Sequence, residues 1–296
     1  MDRKSPPVES DSLDVRSIGE ALIDFARRDS SDSMTHPERE AVVEILQQFL
    51  GGAVCRRLGI VTWPANFRLS VVMPVYNEMR TVELAIQRVR DAGVPCEIIV
   101  VNDASTDETP DILKRLEIAD DVTVVHHRHN RGKGAAIRTG FSHVSGDAVI
   151  IQDADLEYDP QDFPLLLTPI LEDRADVVYG SRFSSNDRTV SRYWHHTGNR
   201  AITLLSNMFT NLKLTDVETC YKLVRREMID QIAPSLCEDG FGIELEMTAK
   251  LSRIKGVRFY ELPISYAPRG YADGKKIRGR DGIHALWCIL RYSFSR

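Results

Sequence analysis

Four short apolar runs constrain this chain more than any other feature: LSVVMPV at 69–75, CEIIVV at 96–101, VTVV at 122–125 and DAVIIQ at 147–152. They are rich in Val and Ile and carry no alternating polar face, the pattern of strands covered on both sides. Helical patterns separate them, from Glu78 to Asp91, from Thr109 to Leu116, and through GKGAAIRTGFSHV at 132–144. Strands alternating with helices predict a mostly parallel α/β sheet, Rossmann-like and covered by helices on both faces. A further strand, DVVYG at 176–180, follows a helix after Pro160, and VRFYELPI at 257–264 adds another beyond a more helical stretch from Ser181. Nothing repeats at a fixed period.

The N-terminal region reads differently. Residues 1–14 are dense in Ser, Pro, Asp and Glu, a disordered composition. Val15, Ile18, Leu22, Phe25 and Ala26 fall at helical spacing. The THPE capping box at Thr35 opens a longer helix through Ile45, Leu46, Phe49 and Leu50. The expected organisation is a disordered 1–14, a helical extension over 15–66 and a main domain over 67–296, with halves at 67–182 and 183–296.

Charge and cysteine content exclude several classes. The chain holds 38 Lys and Arg against 43 Asp and Glu, for a net −5. From Lys250 to Arg296 there are 11 basic and 3 acidic residues, a local +8 that leaves −13 on the other 249. A basic segment on an acidic body suits a localised meeting with phosphate groups. It carries no recognisable base-reading module, so no nucleic-acid partner is expected. The five cysteines (55, 96, 220, 237 and 288) form no CxxC pair. Neither a disulfide framework nor a zinc site is therefore expected, and a reducing cytosol fits. No apolar stretch reaches the roughly 18 to 20 residues of a membrane span. The opening MDRKSPPVESDSLD has no apolar leader core, so a cytoplasmic location is expected.

In an open parallel sheet, ligands bind beyond the carboxyl ends of the strands. The first run is followed by Pro74-Val75-Tyr76-Asn77-Glu78, the second by Asn102-Asp103-Ala104-Ser105, the third by Asn130-Arg131-Gly132-Lys133-Gly134 and the fourth by Asp153-Ala154-Asp155. These clusters would converge in one cleft. A dinucleotide site would need GxGxxG after the first strand, where PVYNE stands. Ile137 takes the place of the third glycine after Gly132-Lys133-Gly134. GxxxxGK[ST] is also absent. Asp153 and Asp155, two apart on extended backbone, point the same way. Paired carboxylates repel unless a cation lies between them, and hard divalent ions take such oxygens together with substrate phosphates. An Asp pair can also serve turns and caps before Pro160. His126, His127 and His129 resemble a metal cluster but read as a solvated loop. Trp194-His195-His196 reads as packing or as the mouth of an acceptor site.

In order, PVYNE, VNDASTDET, NRGKGAAIRTG, DADLEYDP and GSRF resemble the family-2 glycosyltransferases of GT-A fold. The likeness is greatest to the dolichyl- and polyprenyl-phosphate hexose synthase branch. It continues through DVETCYK, FGIELEMTAKL and ELPISYAPRGYADGKKI to DGIHALWCILRY. The resemblance implies that Pro74, Tyr76, Glu78, Asp103, Lys133, Asp153, Ala154 and Asp155 border a nucleotide-sugar donor. It implies Mg²⁺ or Mn²⁺ on Asp153, Asp155 and Glu157, although relatives often carry Gln at the position of Glu157. Arg182, with Arg269, Lys275 and Lys276, would guide an acceptor phosphate. Asp155, Arg182 and Asp216 would stand at the reaction centre. The implied reaction is inverting transfer of a hexose, from GDP-mannose or UDP-glucose, to a polyprenyl or dolichyl phosphate. Transfer to a soluble hydroxyl, or a non-catalytic nucleotide-sugar-binding module, are the other readings. A lipid monophosphate, with a second pKa of about 6, is largely ionised at neutral pH and needs no general base. A hydroxyl acceptor would need one, for which Glu238, Asp239 and Asp216 are available, but the TED and QxxRW pattern of processive relatives is absent.

Some relatives continue into C-terminal membrane helices, which do not follow ALWCILRYSFSR here. The expected options are therefore binding at a membrane surface, a membrane-embedded partner or a soluble acceptor, with the enzyme peripheral on a cytoplasmic face in the first. A second copy of the chain is a further expected partner. Ile283, Leu286, Trp287, Leu290 and Phe294 recur on one helical face just after Lys275, Lys276, Arg278 and Arg280. An apolar face beside cations suits a helix lying in an anionic interface, or one packed on the protein's own core.

Overall fold

The computed structural model describes residues 36–57, 60–183, 193–268 and 279–294. The expectations for 1–14, the first helical pattern, the Thr35 cap, and Arg269, Lys275, Lys276 and Arg278 lie outside the described residues. So do the side chains of Trp194, His195, Arg280, Ile283 and Phe294. The chain forms two compact units, residues 1–65 and 66–296. In the first, helices α1 (His36–Leu50) and α2 (Gly52–Arg57) are separated by Gly51 at φ +81°. The Gly51 amide donates to the Gln47 carbonyl at 2.9 Å, so this glycine closes α1 in a conformation other residues resist.

The second unit is built on seven strands: β1 (Leu69–Val75), β2 (Cys96–Asn102), β3 (Val122–His126), β4 (Ala148–Ile151), β5 (Val177–Ser181), β6 (Lys222–Arg225) and β7 (Phe259–Pro263). Their spatial order is β3-β2-β1-β4-β6-β5-β7. Pairing is parallel throughout except at β6, which runs antiparallel to both β4 and β5. The register sets Val75 beside Asn102 and Asn102 beside His126, so β1, β2 and β3 end flush at one edge. Val71, Val72, Met73, Ile98, Val100 and Ile150 are wholly buried, each contributing about 1.5–3 kcal/mol by leaving water.

The helices are α3 (Val82–Asp91), α4 (Thr109–Leu116), α5 (Lys133–Phe141), α6 (Phe163–Leu171), α7 (Tyr193–Thr210), α8 (Arg226–Ile232), α9 (Ile243–Leu251) and α10 (Gly279–Phe294). In α3, Val82, Ala85, Ile86 and Val89 form the buried stripe that the helical periodicity calls for.

Three features differ from the sequence reading. First, α3 begins at Val82 rather than Glu78, because Asn77 adopts φ +51° and the Glu78 carbonyl accepts the amides of Thr81 and Val82, closing a turn. Second, β6 escapes the pattern: KLVR is four residues long and begins with a lysine that only the folded structure buries. Third, α10 buries Ala285, Cys288, Ile289 and Tyr292, whereas Leu286, Trp287 and Leu290 are 42–48% exposed. The helix thus has two apolar faces, and these three residues are not core.

Candidate active site

The turns after β1, β2 and β4 hold strained backbone at one edge of the sheet. Asn77, Ala104 and Leu156, at φ +51°, +57° and +62°, are three of the five described non-glycine residues in the left-handed region. Such conformations cost about 1–3 kcal/mol each and persist where surrounding contacts over-determine them. Here the Asn77 amide donates to Ser105 Oγ at 2.9 Å and its side-chain oxygen accepts the Thr106 amide at 2.8 Å. The Ser105 amide in turn donates to Asn102 Oδ1 at 3.0 Å. The first two turns are thereby tied into one rim. Pro74 and Tyr76 are half-buried on it, and buried Glu78 accepts from the Thr81 hydroxyl at 2.9 Å.

Asp103 organises the third turn. One carboxylate oxygen accepts the Arg131 amide at 2.8 Å and the other the Gly132 amide at 2.7 Å. His127 Nδ1 donates to the same group at 2.7 Å while its Nε2 meets Thr139 Oγ1 at 2.9 Å. His127 is thus a buried strut rather than part of a solvated loop. The glycines of this turn also have a local role. The Asp239 carbonyl accepts the amides of Gly134 and Ala135 at 2.8 and 3.2 Å, capping α5. A Cβ on Gly132 or Gly134 would collide with the Asp239 or Glu238 carbonyl. Both are glycine because the 238–240 loop lies against them, and Gly132 also sits at φ +97°.

Lys133 reaches from α5 to the carboxylates, with Nζ 2.9 Å from Asp153 Oδ2 and 3.2 Å from Glu244 Oε1. Glu244 Oε2 is 2.7 Å from Nζ of buried Lys222, which also donates to the Val217 and Thr219 carbonyls. Burial disfavours the Lys133 charge, but Asp153 and Glu244 outweigh it and hold the pKa well above that of a free lysine. Charges alternate along Asp153–Lys133–Glu244–Lys222, so each buried ion has a counter-ion. Lys222 and Glu244 were not singled out in the sequence. Lys133 and Glu244 at the centre of the relay stand 244 − 133 = 111 positions apart, and only folding pairs them.

A second buried pair lies at the end of β5. The Arg182 guanidinium grips Asp216 bidentately, Nε to Oδ2 at 2.6 Å and Nη2 to Oδ1 at 2.7 Å. Its Cζ lies 5.6 Å from the Phe183 ring centre and 5.3 Å from that of Tyr266. Asp216 is wholly buried, and Glu261 holds its loop by accepting the amides of Thr215 and Asp216. Burial opposes the Arg182 charge, but neighbours including Asp216 more than restore it. Asn199 Nδ2 bridges Asp216 Oδ1 at 3.3 Å and Glu218 Oε2 at 2.9 Å. Burial raises the pKa of Glu218, a carboxylate the sequence reading missed. Tyr266 links the two sides of the site, since its hydroxyl donates to Glu157 Oε2 at 2.7 Å under the same ring that faces Arg182.

Asp153, Asp155 and Glu157 are all half-buried at the end of β4, and Ala154 between them is buried. Asp155 Oδ1 accepts the Glu157 amide at 3.2 Å. Lys133 takes one oxygen of Asp153 and Tyr266 one of Glu157. The set brings three carboxylates to one strand end without a closed cage, which fits Mg²⁺ or Mn²⁺ completed by substrate phosphate. Glu238 and Asp239 are poorly suited to act as a base. Burial raises the Glu238 pKa, but hydrogen bonds from His284, Tyr292 and Gly240 bring it below the usual carboxylate value. Asp239 is exposed and paired with Arg138 at 2.6 Å.

The sequence pattern of Glycosyl transferase family 2 matches residues 70–233. An undecaprenyl-phosphate mannosyltransferase of Micrococcus luteus is 30% identical over 243 residues, covering 76% of this chain and 98% of the relative. An undecaprenyl-phosphate 4-deoxy-4-formamido-L-arabinose transferase of Salmonella paratyphi B is 30% identical over 214 residues, covering 70% of this chain and 62% of the relative. Among solved structures, glucosyl-3-phosphoglycerate synthase of Mycobacterium tuberculosis, with Mn²⁺, uridine diphosphate and phosphoglyceric acid, superposes with a TM-score of 0.59. It is 21% identical and covers 90% of this chain and 84% of its own. That likeness establishes the GT-A fold.

Proposed function

Because the chain belongs to glycosyl transferase family 2 and is a glycosyltransferase, we propose that it transfers a hexose from a nucleotide sugar, GDP-mannose or UDP-glucose, to a polyprenyl-type lipid phosphate. The observation that carries this reading is Tyr266, which binds Glu157 on one side and lies under Arg182 on the other. Tyr266 thereby links the carboxylates that would hold the donor to the cation that would meet the acceptor. The 30% identity to two undecaprenyl-phosphate sugar transferases supports the acceptor class.

In this reading Pro74, Tyr76 and Glu78 border the nucleotide, and Asp103 shapes the turn that closes on it. Asp155, with Asp153 and Glu157, would hold Mg²⁺ or Mn²⁺, which as a Lewis acid supplies charge neutralisation on the departing diphosphate. Lys133 fixes Asp153 and adds a preorganised positive charge. Asp216 positions Arg182, whose guanidinium draws the lipid phosphate to the anomeric carbon, opposite the leaving group, so that the configuration inverts. An ionised phosphate needs no proton removed, which agrees with the committed state of Glu238.

Glu218 favours a second reading, because a carboxylate with a raised pKa suits proton abstraction from a hydroxyl acceptor. Radiolabelled GDP-mannose and UDP-glucose, each offered polyprenyl phosphate and soluble sugars, separate the two. The expected result is label in the lipid fraction, with Glu218→Gln retaining transfer to within a few fold. The rate should rise with pH through the second ionisation of the phosphate, near pH 6, in both proteins. Label only on soluble sugars, lost in Glu218→Gln, would establish the hydroxyl reading.

Among the described residues no helix is long and apolar enough to cross a membrane. We assign the exposed face of α10 (Leu286, Trp287 and Leu290), with Arg291 4.6 Å over the Trp287 ring, to an anionic bilayer. The +8 charge of residues 250–296 supports this, at about 1 kcal/mol for each cation near the surface. Replacing the three residues by Ser should weaken co-sedimentation with phosphatidylglycerol vesicles at least tenfold without lowering the melting temperature. Unchanged sedimentation would remove this face as the anchor.

A further inference from the structure

A cluster of nitrogen, sulfur and oxygen donors lies apart from the carboxylates of β4. Glu238 Oε1 is 2.9 Å from His284 Nε2, while Cys288 Sγ is 3.4 Å from that nitrogen and 3.5 Å from Glu238 Oε2. Zinc-type bonds of about 2.0–2.1 Å to N and O and 2.3 Å to S, set tetrahedrally, place ligand atoms about 3.3–3.6 Å apart. The two edges that include sulfur already have this length. The third contact is made by the other carboxylate oxygen, Oε1, at the length of a direct hydrogen bond, so a one-oxygen ligand needs a turn of the carboxylate as well as an opening of about 0.4 Å.

The surroundings fit the same purpose. His284 and Cys288, four residues apart, lie on one face of α10, and Glu238 approaches from the loop before α9. The Tyr292 hydroxyl donates to Glu238 Oε2 at 2.8 Å and the Gly240 amide to Oε1 at 3.1 Å, orienting the carboxylate as outer-shell donors do. The His284 ring stacks on Trp287 with centroids 5.3 Å apart. Gly242 leaves room beside the thiol, since a Cβ there would collide with Cys288 Sγ. Cys288 and Glu238 are buried, and His284 is exposed enough to give an ion a way in.

We propose that Glu238, His284 and Cys288 bind a single thiophilic divalent cation of the zinc type, with water as fourth ligand. Thiolate and imidazole select this chemistry, whereas the all-oxygen set at β4 selects Mg²⁺ or Mn²⁺. Binding releases the Cys288 thiol proton to solvent. The ion ties the C-terminal helix to the loop whose carbonyls lie against Gly132 and Gly134, so it braces the donor side of the cleft without entering it. The cysteine spacing hid this site, because no ligand pairs with another as CxxC and Glu238 lies 46 residues before His284.

The test uses the full-length protein, stripped with chelator and titrated with Co²⁺ alone, then with Zn²⁺ against a chromogenic chelator. A single equivalent should bind, with a thiolate-to-cobalt charge-transfer band and the visible bands of tetrahedral cobalt. Cys288→Ser and His284→Ala should abolish the band, and Cys237→Ser and Asp155→Asn should keep it. His284 is at the surface, so His284→Ala probes the site in a folded protein, and Zn²⁺ should raise the melting temperature of the native chain but not of this variant. No charge-transfer band in the native protein, or an equal band in His284→Ala, overturns the proposal.

Discussion

Asp155→Asn should lower sugar transfer at least a hundredfold while leaving the melting temperature within a few degrees of the native value. Asp155 is half-buried at the end of β4, and its Oδ1 accepts the Glu157 amide at 3.2 Å. An Asn oxygen can keep that hydrogen bond, so the turn holding Leu156 in its left-handed conformation survives. In the proposed reaction, what is lost is one unit of negative charge toward the divalent ion that would neutralise the departing diphosphate. A loss of about 3 kcal/mol of transition-state stabilisation corresponds to roughly a hundredfold in rate. Asp153→Asn should differ in kind: it leaves Lys133 with Glu244 alone and so lowers stability as well as rate. The measurement is transfer in Mn²⁺ beside a thermal melt. Full activity of Asp155→Asn without added metal would remove the β4 carboxylates from the reaction.

Asp216→Asn should be the most damaging single change to stability, by about 3–5 kcal/mol, because it leaves a buried guanidinium without its counter-ion. Both oxygens of Asp216 bind Arg182, and no part of the aspartate is exposed. Arg182→Met should cost a similar amount by stranding Asp216, with only Asn199 and the backbone amide of residue 182 left to donate to it. The double variant should lose clearly less than the sum of the two, since neither residue is then left as a lone buried charge. Transfer separates positioning from binding. Arg182→Met should raise the acceptor KM more than it weakens nucleoside diphosphate affinity. If nucleotide affinity falls and the acceptor KM is unchanged, Arg182 belongs to the donor side.

These two cases show how much of the site the chain discloses. The strand-end clusters from Pro74 to Asp155 are legible because local rules govern them: apolar runs of Val and Ile end where polar residues begin, and parallel strands end at one edge. Arg182 and Asp216 each stood out by resemblance, but their pairing did not, because a bidentate contact across 34 positions leaves no local trace. The expectation that His127 lies in a solvated loop fails for the same reason. Its partners Asp103 and Thr139 come from other elements, and their contacts, not the polarity of the segment, bury it.

By itself the sequence determined the alternation of strands and helices, the parallel character of most of the sheet and the edge at which the polar strand-end clusters gather. Each follows from backbone geometry and the period of apolar side chains. The tertiary structure decided which charges neutralise one another. It placed Lys222 in an antiparallel strand against Glu244, gave Gly132 and Gly134 a loop to abut, and set His284 and Cys288 beside Glu238. Buried ions and metal ligands take partners by distance in space rather than in sequence, so only the folded chain can choose them.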